Sequence, residues 1–188
     1  MDTTFFRDYQ TLLSQVMEQT DLSLVAHLSE RLRKAWSEGA QVFICGNGGS
    51  AANAIHLAND LIYGIDKPRG LGLRVNALPS NQAVNTCLAN DEGYDKIFSA
   101  QLAVLGRPGD VLIVFSGSGN SPNILKALEK AKELGIESYA LLGFTGGKAK
   151  ALADHALHYE IHNMQIAEDL QQIVGHMVMR WLCAHPLA

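Results

Sequence analysis

Cysteines, basic clusters and long apolar runs are all scarce in this sequence. Its 188 residues include three cysteines, Cys45, Cys87 and Cys183, with no CxxC pair among them. An odd number without that spacing argues against a disulfide framework and a cysteine zinc site, and it favours a reducing compartment. The formal net charge is −4 with no block of like charges, so nothing favours nucleic acid as a direct partner.

Membrane and export signals are also missing. No run reaches the roughly 18 apolar residues of a membrane span. The first residues, MDTTFFRDYQ, carry early acids instead of a basic region followed by an apolar run. The sequence therefore predicts a cytoplasmic protein with no membrane contact, whose partner is a small molecule or another protein.

A nucleotide cofactor is not indicated either. The stretch QVFICGNGGSAANAIHLANDL fits the relaxed dinucleotide pattern GxGxxA through Gly46, Gly48 and Ala51. That pattern needs an acid about twenty residues later, at the tip of a second strand, to hold a ribose. Asp66 falls near that distance but lies in the loop sequence GIDKPRG, so we expect no nicotinamide or flavin.

Helical and strand patterns alternate along the chain. Apolar spacing predicts two helices within residues 4–39, then a strand at 41–45, a glycine turn and a helix that begins near Ser50. Further strands are predicted at 72–78, 110–116, 138–144 and 155–161, and further helices at 82–89, 95–105, 122–134, 147–153 and 166–183. This alternation predicts an α/β fold, a three-layer αβα sandwich around a parallel sheet of about five strands, built as a single domain over residues 1–188.

The two leading helices exceed what the sheet needs as cover. Phe5, Phe6 and Trp36 would leave apolar surface there that a second subunit could bury. We therefore expect an oligomer that uses residues 1–39. The alternative is that these helices simply cover the same core.

A hydroxyl-rich turn follows the predicted strand at 110–116. In VFSGSGNSPNILKAL the strand ends at Ser116, and Ser118 and Ser121 precede a helix that begins with Pro122. Glycines allow a tight turn, serine hydroxyls donate hydrogen bonds, and the free N–H groups of a helix's first turn add partial positive charge. No lysine completes a GxxxxGK[ST] loop, so the expected ligand is one monophosphate and not a nucleoside triphosphate.

Taken together, these motifs resemble the sugar isomerase domain family, and within it the phosphoheptose isomerases. The resemblance rests on CGNGGSAANAIHLANDL, ANDEGYDKIFSAQL, GRPGDVLIVFSGSGNSPNILKAL and LLGFTGGK, and it extends over essentially the whole chain. It implies a five-stranded parallel sheet between helices and a homotetramer with sites at subunit interfaces. It also implies conversion of sedoheptulose 7-phosphate to a heptose 7-phosphate.

The resemblance carries substrate-binding roles onto particular positions. The serines of the second turn would bind the sugar phosphate, and the first turn would line the hydroxylated chain. The positions concerned are Asn47, Ser50, Asn90, Asp91, Ser116, Ser118, Ser121 and Gln171.

A carboxylate and a histidine carry the expected chemistry. The family's catalytic glutamate falls on Asp60, and His56, one helical turn earlier, matches a histidine that joins it in binding zinc in some members. Aldose–ketose isomerisation needs a base for one carbon-bound proton and an acid or electrophile that supports the enediolate. At i and i+4 the two residues share a helix face. They form either an acid/base pair or half of a metal site.

Two positions depart from the isomerases. Their last-helix catalytic histidine falls on Met179, and an arginine that they commonly carry near the substrate falls on Gly64. His176 lies one turn before Met179 and shares a face with Gln172. Either the last helix is shifted and His176 takes the missing role, or the site has changed its chemistry.

Two functions from different classes follow. The first is a phosphosugar aldose–ketose isomerase with Asp60 as base and His176 as acid. In its zinc-dependent form the ligands would be His56, Asp60, Gln172 and His176. The second is a non-catalytic adaptor or sensor that binds sugar phosphates, such as a replication-initiator-binding protein, which the two departures would favour.

Overall fold

Five parallel strands form the centre of the computed structural model, which describes residues 2–188. The strands are β1 (Gln41–Cys45), β2 (Arg74–Ala77), β3 (Val111–Ser116), β4 (Glu137–Leu142) and β5 (His155–His158). Their spatial order is β2-β1-β3-β4-β5, and Ile44 of β1 lies in register with Ala77 and Ile113 on either side. The chain therefore reverses its direction of travel across the sheet between β1 and β3. Ligands of such sheets bind beyond the carboxyl ends of the strands at this switch point.

Eight α-helices accompany these strands within the described residues. They are α1 (Thr4–Met17), α2 (Leu22–Glu38), α3 (Gly49–Asn59), α4 (Gln82–Asp91), α5 (Ser99–Leu105), α6 (Pro122–Leu134), α7 (Ala149–Leu152) and α8 (Met164–Ala184). A π-helical turn over Asp60–Gly64 continues α3, and 3-10 turns occupy Leu78–Ser80 and Tyr94–Lys96.

Alternate residues of each strand divide the core into two layers. Val42 and Ile44 pack with α1, α2, α3 and α8, whereas Phe43 and Cys45 pack with α5, α6 and α7. Burial on both faces explains why the strands read as continuous apolar runs and not as alternating ones. The predicted three-layer αβα sandwich with a five-stranded parallel sheet is confirmed.

Local signals fix the helix ends next to the sheet. The side chain of Asp21 accepts hydrogen bonds from the backbone N–H groups two and three residues on, at 3.0 and 3.2 Å, and so begins α2. Gly39, at φ 68°, ends that helix. Pro122 begins α6, and Gly135, also at φ 68°, ends it.

Several predicted elements are too long, among them two strands and one helix. A Cβ on Gly72 would lie 1.8 Å from the carbonyl oxygen of Ile62, and Leu73 N–H donates to the carbonyl of Leu61 at 3.0 Å. This segment therefore packs on the π-helical turn, and β2 begins only at Arg74. Strand β5 likewise stops at residue 158 instead of 161, and the helix predicted over 95–105 is reduced to a 3-10 turn followed by α5.

The leading helices contribute to the core of their own chain. Trp36 is only 8% exposed and packs in the layer that contains α8, so the expectation that it leaves apolar surface is wrong. Phe5 and Phe6 do project from α1, with 77% and 64% of their surface exposed. Among residues 2–188, no helix combines the length and the apolar character needed to cross a membrane.

Candidate active site

The two predicted turns meet at the switch point of the sheet. Asn47 follows β1 and Asn123 lies in the first turn of α6, and their side-chain amides exchange hydrogen bonds of 2.9 and 2.8 Å. Tyr94 donates a third hydrogen bond, of 3.1 Å, to the Asn47 oxygen. This polar clamp holds the two turns next to each other at the carboxyl ends of β1 and β3.

The serine turn has the geometry expected of an anion cradle. Ser116 is buried and its Oγ accepts a hydrogen bond from Gly119 N–H at 3.1 Å, while Ser118 Oγ accepts from Asn120 N–H at 3.3 Å. Gly119 has φ 65°, and a Cβ there would lie 2.0 Å from the carbonyl oxygen of Gly146, so only glycine fits. Ser121 is the N-cap residue of α6, whose first-turn N–H groups favour an anion. The three predicted phosphate-binding serines are thus part of one turn.

The first turn lies beside a groove of about 440 Å³. Gly46 and Asn47 line it, together with residues of α3 and α4 such as Ala52 and Ala89. Ser50 is 3% exposed, and its carbonyl oxygen lies 2.6 Å from where a Cβ on Gly46 would be, so the turn is closely packed. A larger groove of about 780 Å³ lies between α4 and α5 and is lined by residues such as Val84, Leu88 and Val104, away from the serine turn.

Asn90 and Asp91 occupy the exposed end of α4. Asn90 Nδ2 donates to Asp91 Oδ1 at 2.7 Å, and Cys87 Sγ donates to Asp91 Oδ2 at 3.4 Å. These two hydrogen bonds, from Asn90 first, lower the pKa of the Asp91 carboxyl below its usual value. The side chains of Asn90 and Asp91 contact each other and Cys87, so their contact with a substrate stays a prediction.

Helices α3 and α8 pack closely, and an amide contact joins them. Asn53 Nδ2 donates to the Glu168 carbonyl at 2.9 Å and to Gln171 Oε1 at 3.2 Å. Gln171 is 2% exposed, and its buried Nε2 has no hydrogen-bond partner within residues 2–188. A buried, unpaired amide donor costs free energy, and since Gln171 is almost fully buried, its contact with a substrate stays a prediction.

His56, Asp60 and His176 converge where α3 meets α8. The two histidine Nε2 atoms lie 3.1 Å apart, and Asp60 Oδ2 lies 3.3 Å from His56 Nε2 and 3.4 Å from His176 Nε2. Gln172 Nε2 adds a contact of 3.0 Å to His176 Nε2. The Asp60 side chain is 16% exposed and those of the histidines about half exposed. Two ring nitrogens at this distance require a shared proton or a cation between them.

These four residues could also hold a metal ion. His56, Asp60 and His176 offer ligand atoms that all lie within 4.8 Å of one another. Four ligands at tetrahedral zinc distances lie about 3.3 Å apart, close to the separations above. Gln172 Oε1 is buried without a partner among the described residues, and a half-turn of the amide would bring it toward His176. The donor set therefore fits a divalent ion such as zinc.

The structure also relates Met179 and Gly64, the two positions at which the sequence departs from the isomerases. His176, and not Met179, faces His56 and Asp60. Met179 packs on the π-helical turn, where its Cε lies 2.7 Å from the place a Cβ on Gly64 would occupy. The methionine therefore fills space that Gly64 leaves open.

Helix α3 connects the first turn, which the Asn47–Asn123 contact holds beside the serine turn, to the histidine cluster. His56 is six positions after Ser50, a distance of about 9 Å along a helix at its usual rise. A ligand anchored by phosphate at the turns must therefore extend along α3 to reach Asp60. An elongated sugar phosphate has that shape.

Hydroxyl-rich turns at the switch point of a parallel sheet are typical of α/β domains that bind phosphorylated ligands. Within that class, a model of the SIS domain matches residues 4–143 of the chain. The chain therefore belongs to the SIS domain family.

Curated relatives of the chain include proteins named phosphoheptose isomerase. The enzyme of that name from Chlorobaculum parvum is 39% identical over 153 residues, which cover 79% of this chain and 72% of the relative. The one from Trichlorobacter lovleyi is 43% identical over 144 residues, covering 76% and 72%. The solved structure of a phosphoheptose isomerase from Francisella tularensis superimposes with a TM-score of 0.90 at 26% identity, covering 97% of this chain and 96% of that one.

Proposed function

We propose that this protein is a phosphosugar aldose–ketose isomerase that converts sedoheptulose 7-phosphate to a heptose 7-phosphate. The observation that carries the proposal is the convergence of Asp60 and His176 at the end of α3 opposite to the phosphate cradle. Relatives named phosphoheptose isomerase, at 39% and 43% identity, support the same reaction. Met179 stands where the isomerases carry a catalytic histidine, but this counts less against catalysis because His176 contacts the Asp60 carboxylate.

Asp60 and His176 supply the proton transfers of this mechanism. With the phosphate held by the serine turn, the Asp60 carboxylate removes the proton from the hydroxymethyl carbon while His176 protonates the ketone oxygen, giving an enediol. Asp60 then returns its proton to the former ketone carbon, and His176 takes back the proton of the other hydroxyl. Both residues end in their starting states, so no oxidant or reductant is needed.

His56 has a supporting role next to this pair. Its Nε2 lies within 3.3 Å of Asp60 and 3.1 Å of His176, so it can orient both groups. With Asp60, Gln172 and His176 it would also hold zinc, and a bound zinc ion would supply Lewis-acid polarisation of the sugar carbonyl. Zinc binding is part of our proposal for this site.

We further propose a homo-oligomer, with a tetramer as the expected form and residues 1–39 in its interface. Ile55 on α3 and Ile62 and Tyr63 on the π-helical turn are 42%, 49% and 63% exposed, and Phe5 and Phe6 project from α1. Such apolar surface next to a candidate catalytic site is suited to burial by a second copy. Light scattering on the 20.4 kDa chain should give four times that mass, and a monomer would refute this part.

The proposed setting is the cytoplasm. All three cysteines are free thiols, and Cys45 is buried with its thiol pKa raised by that burial. Free thiols of this kind suit a reducing compartment. Fractionation of cells that express the chain would test the location.

The reaction itself is tested with purified, metal-analysed protein and sedoheptulose 7-phosphate in deuterated water. NMR should show the heptose product with solvent deuterium at the carbon beside the carbonyl. The control is the same incubation with His176→Ala. Failure to form product, together with a ligand-induced rise in melting temperature, would refute the isomerase and support the non-catalytic binding protein.

A further inference from the structure

A second histidine cluster lies at the opposite end of the sheet from the candidate active site. Glu137 is the first residue of β4 and His155 the first residue of β5, and His27 on α2 reaches both. The serine turn follows the carboxyl end of β3, so the six residues of β4 separate the two ends by about 17 to 20 Å. The active site does not account for this cluster.

The three side chains form a ligand set. His155 Nε2 lies 3.0 Å from Glu137 Oε1, and the rings of His27 and His155 lie 4.6 Å apart. One ligand atom from each of the three residues lies within 4.8 Å of those of the other two. Two imidazoles and a carboxylate are a typical zinc-binding combination, with water as a fourth ligand.

Neighbouring groups already orient these ligands. Arg31 Nε donates to Glu137 Oε2 at 2.6 Å, which leaves Oε1 directed at His155. The Tyr139 hydroxyl lies 3.0 Å from Glu137 Oε1 and 2.9 Å from His27 Nδ1. Since a phenol has one proton, donation to the carboxylate requires His27 to donate from Nδ1, and its Nε2 lone pair is then free. Outer hydrogen bonds of this type fix ligands in metal sites.

We propose that His27, Glu137 and His155 form a binding site for a divalent transition-metal ion of the zinc type. The ion would replace the proton between His155 and Glu137. It would join α2 to β4 and to β5, the edge strand, and so stabilise the amino-terminal end of the sheet. His27 is exposed, which gives the ion a path of entry from solvent. This proposal does not depend on the proposed isomerase activity.

The test removes the other histidine cluster first. In the His56→Ala/His176→Ala background, calorimetry with Zn²⁺ should give one site per chain. Co²⁺ should give the visible absorption bands of a four-coordinate ion. Zinc at a hundred times its Kd should raise the melting temperature by about 5 °C or more. No Zn²⁺ or Co²⁺ binding in this background would overturn the proposal.

Further variants assign the ligands. In the same background, His155→Ala or Glu137→Gln should weaken Zn²⁺ binding more than tenfold. His27→Ala changes an exposed side chain, so it should keep the melting temperature without metal while losing affinity. His162→Ala, at an exposed histidine outside both clusters, is the matched control and should bind as the background does. Unchanged affinity in the His27 and His155 variants would refute the assignment.

Discussion

Replacing Asp60 with asparagine is expected to separate catalysis from phosphate binding. The change keeps the size of the side chain but replaces Oδ2, which lies 3.3 and 3.4 Å from two histidine Nε2 atoms, by a neutral amide position. An asparagine at this position cannot accept the proton that isomerisation must remove. The serine turn lies beside the first turn, at the other end of α3, and keeps its contacts.

The size of the effect follows from the role of the carboxylate. General base catalysis contributes about 10² to 10⁴ in rate, equivalent to about 3 to 5 kcal/mol of transition-state stabilisation. Binding of the sugar phosphate should change by less than about tenfold, because the serine turn provides the anchoring. Hence kcat should fall by at least about a hundredfold while Kd stays nearly constant.

The assay combines NMR measurement of turnover with a thermal-shift titration of sedoheptulose 7-phosphate. Glu129→Gln, at an exposed position on α6, is the matched loss of one carboxylate and should behave as the wild type. Equal losses of turnover and affinity in the Asp60 variant would show that the carboxylate binds the substrate instead of acting as its base. Full activity would refute its catalytic role altogether.

Two further predictions concern the phosphate turn and the contact between α1 and α8. Ser116→Ala combined with Ser118→Ala should weaken sedoheptulose 7-phosphate binding by about tenfold or more, because hydrogen bonds to a charged group are lost. The control Ser37→Ala, on α2, should bind as the wild type does. If the double variant shows the same ligand-induced rise in melting temperature as the wild type, the serine turn does not bind the phosphate. Tyr9 donates to Asp169 Oδ2 at 2.5 Å, and this hydrogen bond, followed by burial, raises the pKa of Tyr9 to about 12. An unfolded tyrosine titrates near about 10, so the contact stabilises the fold fully below pH 10 and is lost as the pH rises toward 12. Urea unfolding of Tyr9→Phe should therefore show a loss of about 1 kcal/mol at pH 8 that shrinks by pH 11, and a pH-independent difference would contradict this account.

Much of the fold could be predicted from the sequence because its signals are local. The apolar runs of β1 and β3, the cap at Asp21 and the proline at residue 122 each act within a few neighbouring residues. Trp36 was harder to place, because burial depends on how α2 packs against α8 and the sheet.

The candidate site was only partly predictable, for the same reason. Asp60 and His176 could be chosen from helical spacing and resemblance, but their contact depends on the packing of α3 against α8. Asn123 and Tyr94 were missed, since their partner Asn47 lies 76 and 47 residues away in the chain. No sequence pattern joins such distant residues.

The residues at positions 64 and 179 together determine how much space lies beside Asp60. A Cβ on Gly64 would lie 2.7 Å from the methionine methyl and 3.9 Å from Asp60 Cβ. A larger residue at position 64 therefore requires a smaller or displaced side chain at 179, and a smaller residue at 179 opens a gap next to the carboxylate. Exchange of bulk between α8 and the π-helical turn would therefore change the space beside Asp60 while its carboxylate stays in place.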